Sequence, residues 1–212
     1  HRPMRAGAAP VAYESPAFTP WPGRDPDMLQ AAVDAARRLF SDRGYLGVSM
    51  SEIASRLGIT KAALYYHFSG KREIYQSVLE EALSDLRGLL EADDGETSPS
   101  ERLGHMVRRY LEFGIHERNL INALVVELPP SDDSLREFVC SAWKRILDPF
   151  IRVIDEVLAS RRPPAPPDST LMATMLTAMM DGFILRNSLL GSGFDPDRVS
   201  REIVASLGLG TA

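Results

Sequence analysis

The chain has 212 residues, enough for one or two domains with a substantial core, and its 44% hydrophobic and 25% charged content is that of a soluble globular protein. Cys140 is the sole cysteine, so an internal disulfide framework is excluded; with no basic-then-apolar leader at the N-terminus, the expected compartment is the reducing cytoplasm. The net charge of -5 is unevenly spread, because residues 24–72 hold eight Lys or Arg against five Asp or Glu, and the acidic excess falls in residues 73–212. That division suits a head facing an anionic partner on an acidic body.

Residues 1–23 carry five of the fifteen prolines among small residues and are expected to form a disordered tail. Asp25-Pro26 then opens a helix, with an acceptor at the cap and proline at the first helical position. Leu29, Ala32, Val33, Ala36, Leu39 and Phe40 form its apolar stripe, which ends near Gly44. Ser49 and Glu52 have capping-box spacing and start a short second helix, closed by Gly58. Thr60 caps a third helix running to about Phe68. After Ser69-Gly70, Lys71 begins a long fourth helix with Ile74, Val78, Leu79, Ala82, Leu83 and Leu86 on one face.

Beyond the polar stretch 91–100 the pattern stays helical. Helices are expected over 101–117, over 119–128 up to Pro129-Pro130, and from 131 to about 160, where Pro149 should kink or split the element. Asp168 caps the apolar stretch 171–190, and Asp195-Pro196 opens a last helix that fades at Gly208. Asp181, Arg186 and Asn187 within 171–190 argue for a buried helix over a membrane span. No segment alternates with period two, so the fold class is all-α, with about nine helices.

The third helix separates its side chains by chemistry. At 100° per residue Leu64 and Phe68 fall together toward a core, whereas Ala62, Tyr65 and Tyr66 face away. Two short helices joined by a glycine turn, after a longer first helix, are a helix-turn-helix, whose second helix enters the major groove. Lys61 is placed to donate to guanine acceptors, and the methyl of Ala62 to meet thymine. Tyr65, Tyr66, His67 and Lys71 carry donors for phosphate oxygens, and Ser49 and Thr60 sit at helix N-termini, which also suit phosphate. Lys61 and Lys71 stand out because the chain has three lysines against twenty-one arginines.

The stretch VSMSEIASRLGITKAALYYHFSGKREIYQSVLEEAL, with AARRLFSDRGYLGVSM before it, resembles the DNA-binding domain of TetR-type transcriptional regulators from about Met28 to Leu86. The remainder is similar in helical layout, size and the DGFILR segment. The resemblance implies a helix-turn-helix domain over 24–72 that extends into a linker helix 71–90, and a ligand-binding and dimerisation domain over 73–212. It implies a bacterial homodimer joined through its last two long helices. Operator DNA and a small-molecule effector are the implied partners, no cofactor is implied, and repression is the usual mode. Ser49, Thr60, Lys61, Ala62, Tyr65, Tyr66, His67 and Lys71 fall on the family's DNA-contacting positions.

For the effector, Met106, Tyr110, Phe113, Leu124, Trp143, Met175, Met179 and Phe183 are candidate pocket residues, with Glu127 as a polar anchor and a hydrophobic ligand expected. His116 is a second candidate anchor. The same Met and aromatic positions also suit ordinary core. His105 and His116 share a face without a carboxylate or cysteine at ligand spacing, so no metal site is expected. Asp181-Gly182 reads as close helix packing with a satisfied carboxylate. No nucleophile–base–orienter set and no glycine-rich phosphate loop argues for an enzyme. A helical binding or adaptor protein with an unused head stays open as the alternative.

Overall fold

The computed structural model describes residues 25–117 and 133–210, apart from 93, 96, 162, 163, 166 and 192; for 133–136 only the backbone is described. Among the described residues there are helices and no strands. In chain order these are α1 (Pro26–Arg43), α2 (Met50–Leu57), α3 (Lys61–His67), α4 (Lys71–Leu90), α5 (Pro99–His116), α6 (Asp133–Arg161), α7 (Ser169–Leu190) and α8 (Pro196–Ser206). The tail at 1–23, the helix expected over 119–128, and with it Leu124 and Glu127, lie outside the described residues.

The caps expected from sequence form. Asp25 Oδ1 accepts from the Asp27 amide at 3.0 Å, Asp168 accepts from Thr170 and Leu171, and Asp195 accepts from Asp197. Helix α5 starts two residues earlier than expected. Ser98 and Glu101 make a reciprocal capping box there, with Pro99 at the first helical position, so the polar stretch contains its own helix start. Pro149 also behaves differently, for α6 runs unbroken over 29 residues. Ala142 and Ile146 before the proline and Phe150, Ile154 and Val157 after it are all buried, so both halves pack along the body. That shared packing offsets the missing backbone donor.

Two apolar clusters result. One gathers α1–α3 and the first part of α4 around Phe40, Ile53, Leu64, Phe68 and Ile74. The other gathers the end of α4 with α5–α8 around Leu103, Tyr110, Phe150, Leu176 and Ile203. Leu83, Phe113 and Trp143 pack against both. Helix α4 therefore belongs to head and body together, as a single rod about 30 Å long.

A second tie between head and body is polar. Arg37 on α1 reaches Asp85 on α4 at 2.6 Å and Glu117 at the end of α5 at 2.9 Å, and the Ser41 hydroxyl donates to Glu117 at 2.5 Å. The Arg37 side chain is mostly buried, and pairing keeps its guanidinium above its ordinary range although burial acts in the opposite direction. Nothing in the sequence spacing announced this pairing across 80 residues.

Candidate nucleic-acid interface

The turn from α2 to α3 is set by local chemistry. The Ser49 hydroxyl and amide both engage Glu52, and these bonds with Arg43 hold the Glu52 carboxyl down at about 2. Gly58 closes α2 at φ 69, a left-handed conformation that L side chains rarely adopt. The Thr60 hydroxyl then accepts from the Ala63 amide at 3.1 Å and starts α3.

The sorting of α3 is complete. Leu64 and Phe68 are 0% and 1% exposed, whereas Tyr65 and Tyr66 are 47% and 69% exposed. Lys61, Ala62 and Ala63 are exposed beside them. The Lys61 ammonium lies 5.8 Å from the centre of the Tyr65 ring, a cation–π contact, and Tyr66 meets His67 edge to face. The His67 Nδ1 is buried and finds no hydrogen-bond partner among the described residues. The result is an open face of methyls, two hydroxyl-bearing rings and one ammonium, with room for backbone to approach a surface.

Two residues assigned to phosphate are placed otherwise. The Lys71 ammonium donates to the carbonyls of Tyr45 and Val48 at 2.8 and 2.9 Å and lies 4.2 Å over the Tyr45 ring. Burial lowers its pKa, with the Glu52 charge opposing. It is a brace inside the head, because its long side chain reaches two carbonyls of the α1–α2 loop. The Ser49 hydroxyl is taken up by its own capping box. The residues that stay open together are Thr60, Lys61, Ala62, Tyr65 and Tyr66.

In the body, the apolar candidates divide. Tyr110, Phe113 and Trp143 line a cavity between α4, α5 and α6, together with Leu79, Leu83 and Leu86. Its free volume is about 20 Å³, room for about one water. Met106 is 1% exposed within the body core, and Met179 packs against the same core. Met175 and Phe183 do not line this cavity: they are 47% and 38% exposed on the outer face of α7, with Leu171, Leu189 and Leu190. A helix apolar on nearly all sides supplies both an inner and an outer face, and the sequence did not separate them. The α4 residues of the cavity belong to the stripe that the sequence marks only as core.

The Tyr110 hydroxyl donates to Asp181 Oδ1 at 2.7 Å, so the carboxylate is satisfied as expected. Burial raises it to about 6, against the pull of that bond, and burial also pushes the Tyr110 hydroxyl upward. Gly182 is exposed and would meet nothing within 4 Å if given a Cβ, so the close packing expected there does not occur within the chain. His105 Nδ1 lies 3.4 Å from Asp94, and His116 Nδ1 is 3.1 Å from the Glu112 carbonyl. No group of three metal-ligating side chains occurs among the described residues, and no described helix is long and apolar enough to cross a membrane. Cys140 is exposed on α6.

Comparison with known proteins agrees with this geometry. The family model for bacterial regulatory proteins of the tetR family matches residues 32–78, and the model for the C-terminal part of BetI-type transcriptional repressors matches residues 99–207, more than half of the chain. The chain belongs to the TetR family of transcriptional regulators. It is 30% identical to the transcriptional repressor DhaR of Mycobacterium sp. strain GP1, over 74% of this chain and 80% of that protein. Among solved structures it is similar to FadR of Bacillus subtilis in complex with stearoyl-CoA, with a TM-score of 0.73 and 21% identity over 86% of this chain and 99% of that one. It is also similar to AibR in complex with isovaleryl coenzyme A and operator DNA, with a TM-score of 0.62 and 22% identity over 86% and 97% of the two chains. At these identities the two structures speak for the fold. As a TetR-family regulator the chain is a DNA-binding protein, and its head is the helix-turn-helix at α2–α3.

Proposed function

We propose that this regulator is a repressor that holds operator DNA as a homodimer and releases it when an apolar, acyl-type effector enters the cavity under α4. The observation that carries the reading is the position of that cavity. It lies at the junction of the two apolar clusters, and its free space of about 20 Å³ is far below the size of any organic effector. A ligand therefore has to push Leu79, Leu83 and Leu86 of α4 away from α5 and α6. Helix α4 carries the push to the head through Lys71, which is hydrogen-bonded to the α1–α2 loop. Two heads must meet major grooves about 34 Å apart, so a change in α4 that fits only a splayed dimer lowers DNA affinity by the difference in ligand affinity.

Support for an acyl effector comes from the two structural relatives, which hold acyl-CoA ligands, and for repression from DhaR. Support for the homodimer comes from the exposed apolar face of α7 around Met175, Gly182 and Phe183, since contiguous apolar surface marks a contact with a partner. The reading is tested by fluorescence anisotropy with DNA from the chain's own upstream region across a salt series, with and without stearoyl-CoA. Specific binding that weakens steeply with salt and is reversed by stearoyl-CoA is the expected result. Binding without sequence preference, or without salt dependence, overturns the regulator's proposed mode.

A further inference from the structure

The apolar cavity has a polar neighbour. On the α4–α6 side it shares Leu83, Ala142 and Ile146 with a second, wetter pocket of about 210 Å³ lined by Glu80, Ser84, Arg87 and Arg145. Greasy slit and polar vestibule are thus neighbours, with these three side chains between them. The slit accepts hydrocarbon, since every residue that lines it is aliphatic or aromatic. The vestibule is large enough for a charged head group and several waters.

Its charges determine what kind of head group fits. Arg87 from α4 and Arg145 from α6 both line the vestibule, from different helices. Arg87 is shared with Glu91 one turn on, through contacts of 3.3 Å, long enough to be exchanged. Glu80 is the vestibule's acid. Partial burial holds its carboxyl above the ordinary range, while the Arg145 charge pulls it down. So the acid that offsets Arg145 is itself unfavourably placed, and an entering anion with better geometry replaces it. Guanidinium groups suit this task because their planar donors match carboxylate and phosphate oxygens in pairs.

We infer that the effector is an amphiphilic anion, whose hydrocarbon tail fills the slit under α4 and whose carboxylate or phosphate is gripped between Arg87 and Arg145. The assignment rests on the proposed effector cavity and adds the chemistry of the pocket beside it. It also gives the switch a direction. Bringing one anion between Arg87 and Arg145 ties α4 to α6 at the vestibule while the tail spreads them at the slit, so α4 pivots about its Arg87 turn. The end that moves furthest is then the one bearing Lys71 and the head.

The test uses the full-length protein with three probes of equal chain length: dodecanoate, lauroyl-CoA and dodecanol. Binding is followed by isothermal titration and DNA release by anisotropy, in wild type and in the variants Arg145→Gln and Arg87→Gln, each checked by its thermal melt. The expected result is that at least one of dodecanoate and lauroyl-CoA binds the wild type at least tenfold more tightly than dodecanol. Either substitution removes most of that preference while leaving dodecanol binding within about twofold. Preference for dodecanoate alone identifies a free carboxylate as the head group, and preference for lauroyl-CoA identifies the phosphates. Equal binding of charged and neutral probes, no binding of any of them, or a preference that survives both substitutions overturns the inference. DNA binding that stays specific and salt-dependent in those cases leaves the regulator itself standing, so the two failures are distinguishable.

Discussion

The Lys71 ammonium sits 4.2 Å above the Tyr45 ring and 2.8 Å from the carbonyl oxygen of the same residue, so one side chain closes the loop between α1 and α2 onto the start of α4. The second bond, to the Val48 carbonyl, makes the contact a clamp. Lys71→Met keeps the length of the chain and removes the donors. It should cost about 1–3 kcal/mol, the usual range when buried acceptors lose their partner. The melting temperature should fall. In anisotropy at low temperature, where the head stays folded, the salt dependence of DNA binding should be unchanged. A drop of about one in the salt slope would show instead that Lys71 contacts phosphate.

Lys61 has the opposite geometry, exposed at the start of α3 with the Tyr65 ring beside it. Lys61→Ala should leave the melt unchanged and relax base preference at one position by about 1–3 kcal/mol. Tyr66→Phe removes a hydroxyl from the same face and should weaken all sequences about equally. Competition binding with single-base operator variants separates the two. Identical profiles for both substitutions would reject the division of roles.

Asp181 supplies a pH dependence. Its folded pKa of about 6 lies above the unfolded value, so folding favours the protonated carboxyl. The stability this contributes is complete below about pH 4 and is lost as pH rises through 6. Asp181→Asn keeps an oxygen for the Tyr110 hydroxyl and carries no charge to bury. The variant should match the wild type near pH 4 and exceed it by up to about 3 kcal/mol above pH 7. Denaturant melts at the two pH values check this. An offset equal at both would show that the carboxyl's ionisation is not what the fold opposes.

Glu117 joins the head to the body without passing through α4, by accepting from Arg37 and Ser41. Glu117→Gln removes the charge and keeps the shape. Arg37 retains Asp85 and Glu81, so the loss should be modest, about 1 kcal/mol. The more telling readout is hydrogen exchange, which should rise in α1 and at the end of α5 while α7 is unaffected. Uniform change across the chain would mean that Glu117 has no special part in holding the head.

Phe183 tests the outer face of α7. Phe183→Glu places a charge among exposed apolar side chains and should convert the proposed dimer to monomer in sedimentation velocity, with DNA affinity falling by at least tenfold. The melt of the monomer should be retained, since Phe183 is 38% exposed within the chain. An unchanged sedimentation coefficient would remove this face from the interface.

What was readable in the chain itself is whatever depends on neighbours within a turn or two. The caps at Asp25, Ser49, Thr60, Asp168 and Asp195, the left-handed Gly58 and the inward pair Leu64 and Phe68 all follow from spacing, because a capping bond spans two or three residues and a helix face repeats every three or four. With them came the helical class and the face presented by α3, and hence the kind of regulator this is.

Packing between distant segments decided the rest. Lys71 carries the same charge as Lys61, and only the path of the α1–α2 loop turns it inward. Met175 and Met180 belong to one apolar helix, yet the first is 47% exposed and the second 0%, because α5 and α6 cover one side of it and leave the other open. The same holds for the cavity at the meeting of two cores and for the arginines of the pocket beside it. Hydrophobicity dictates that a side chain leave water, and only the arrangement of whole helices determines which neighbour it meets.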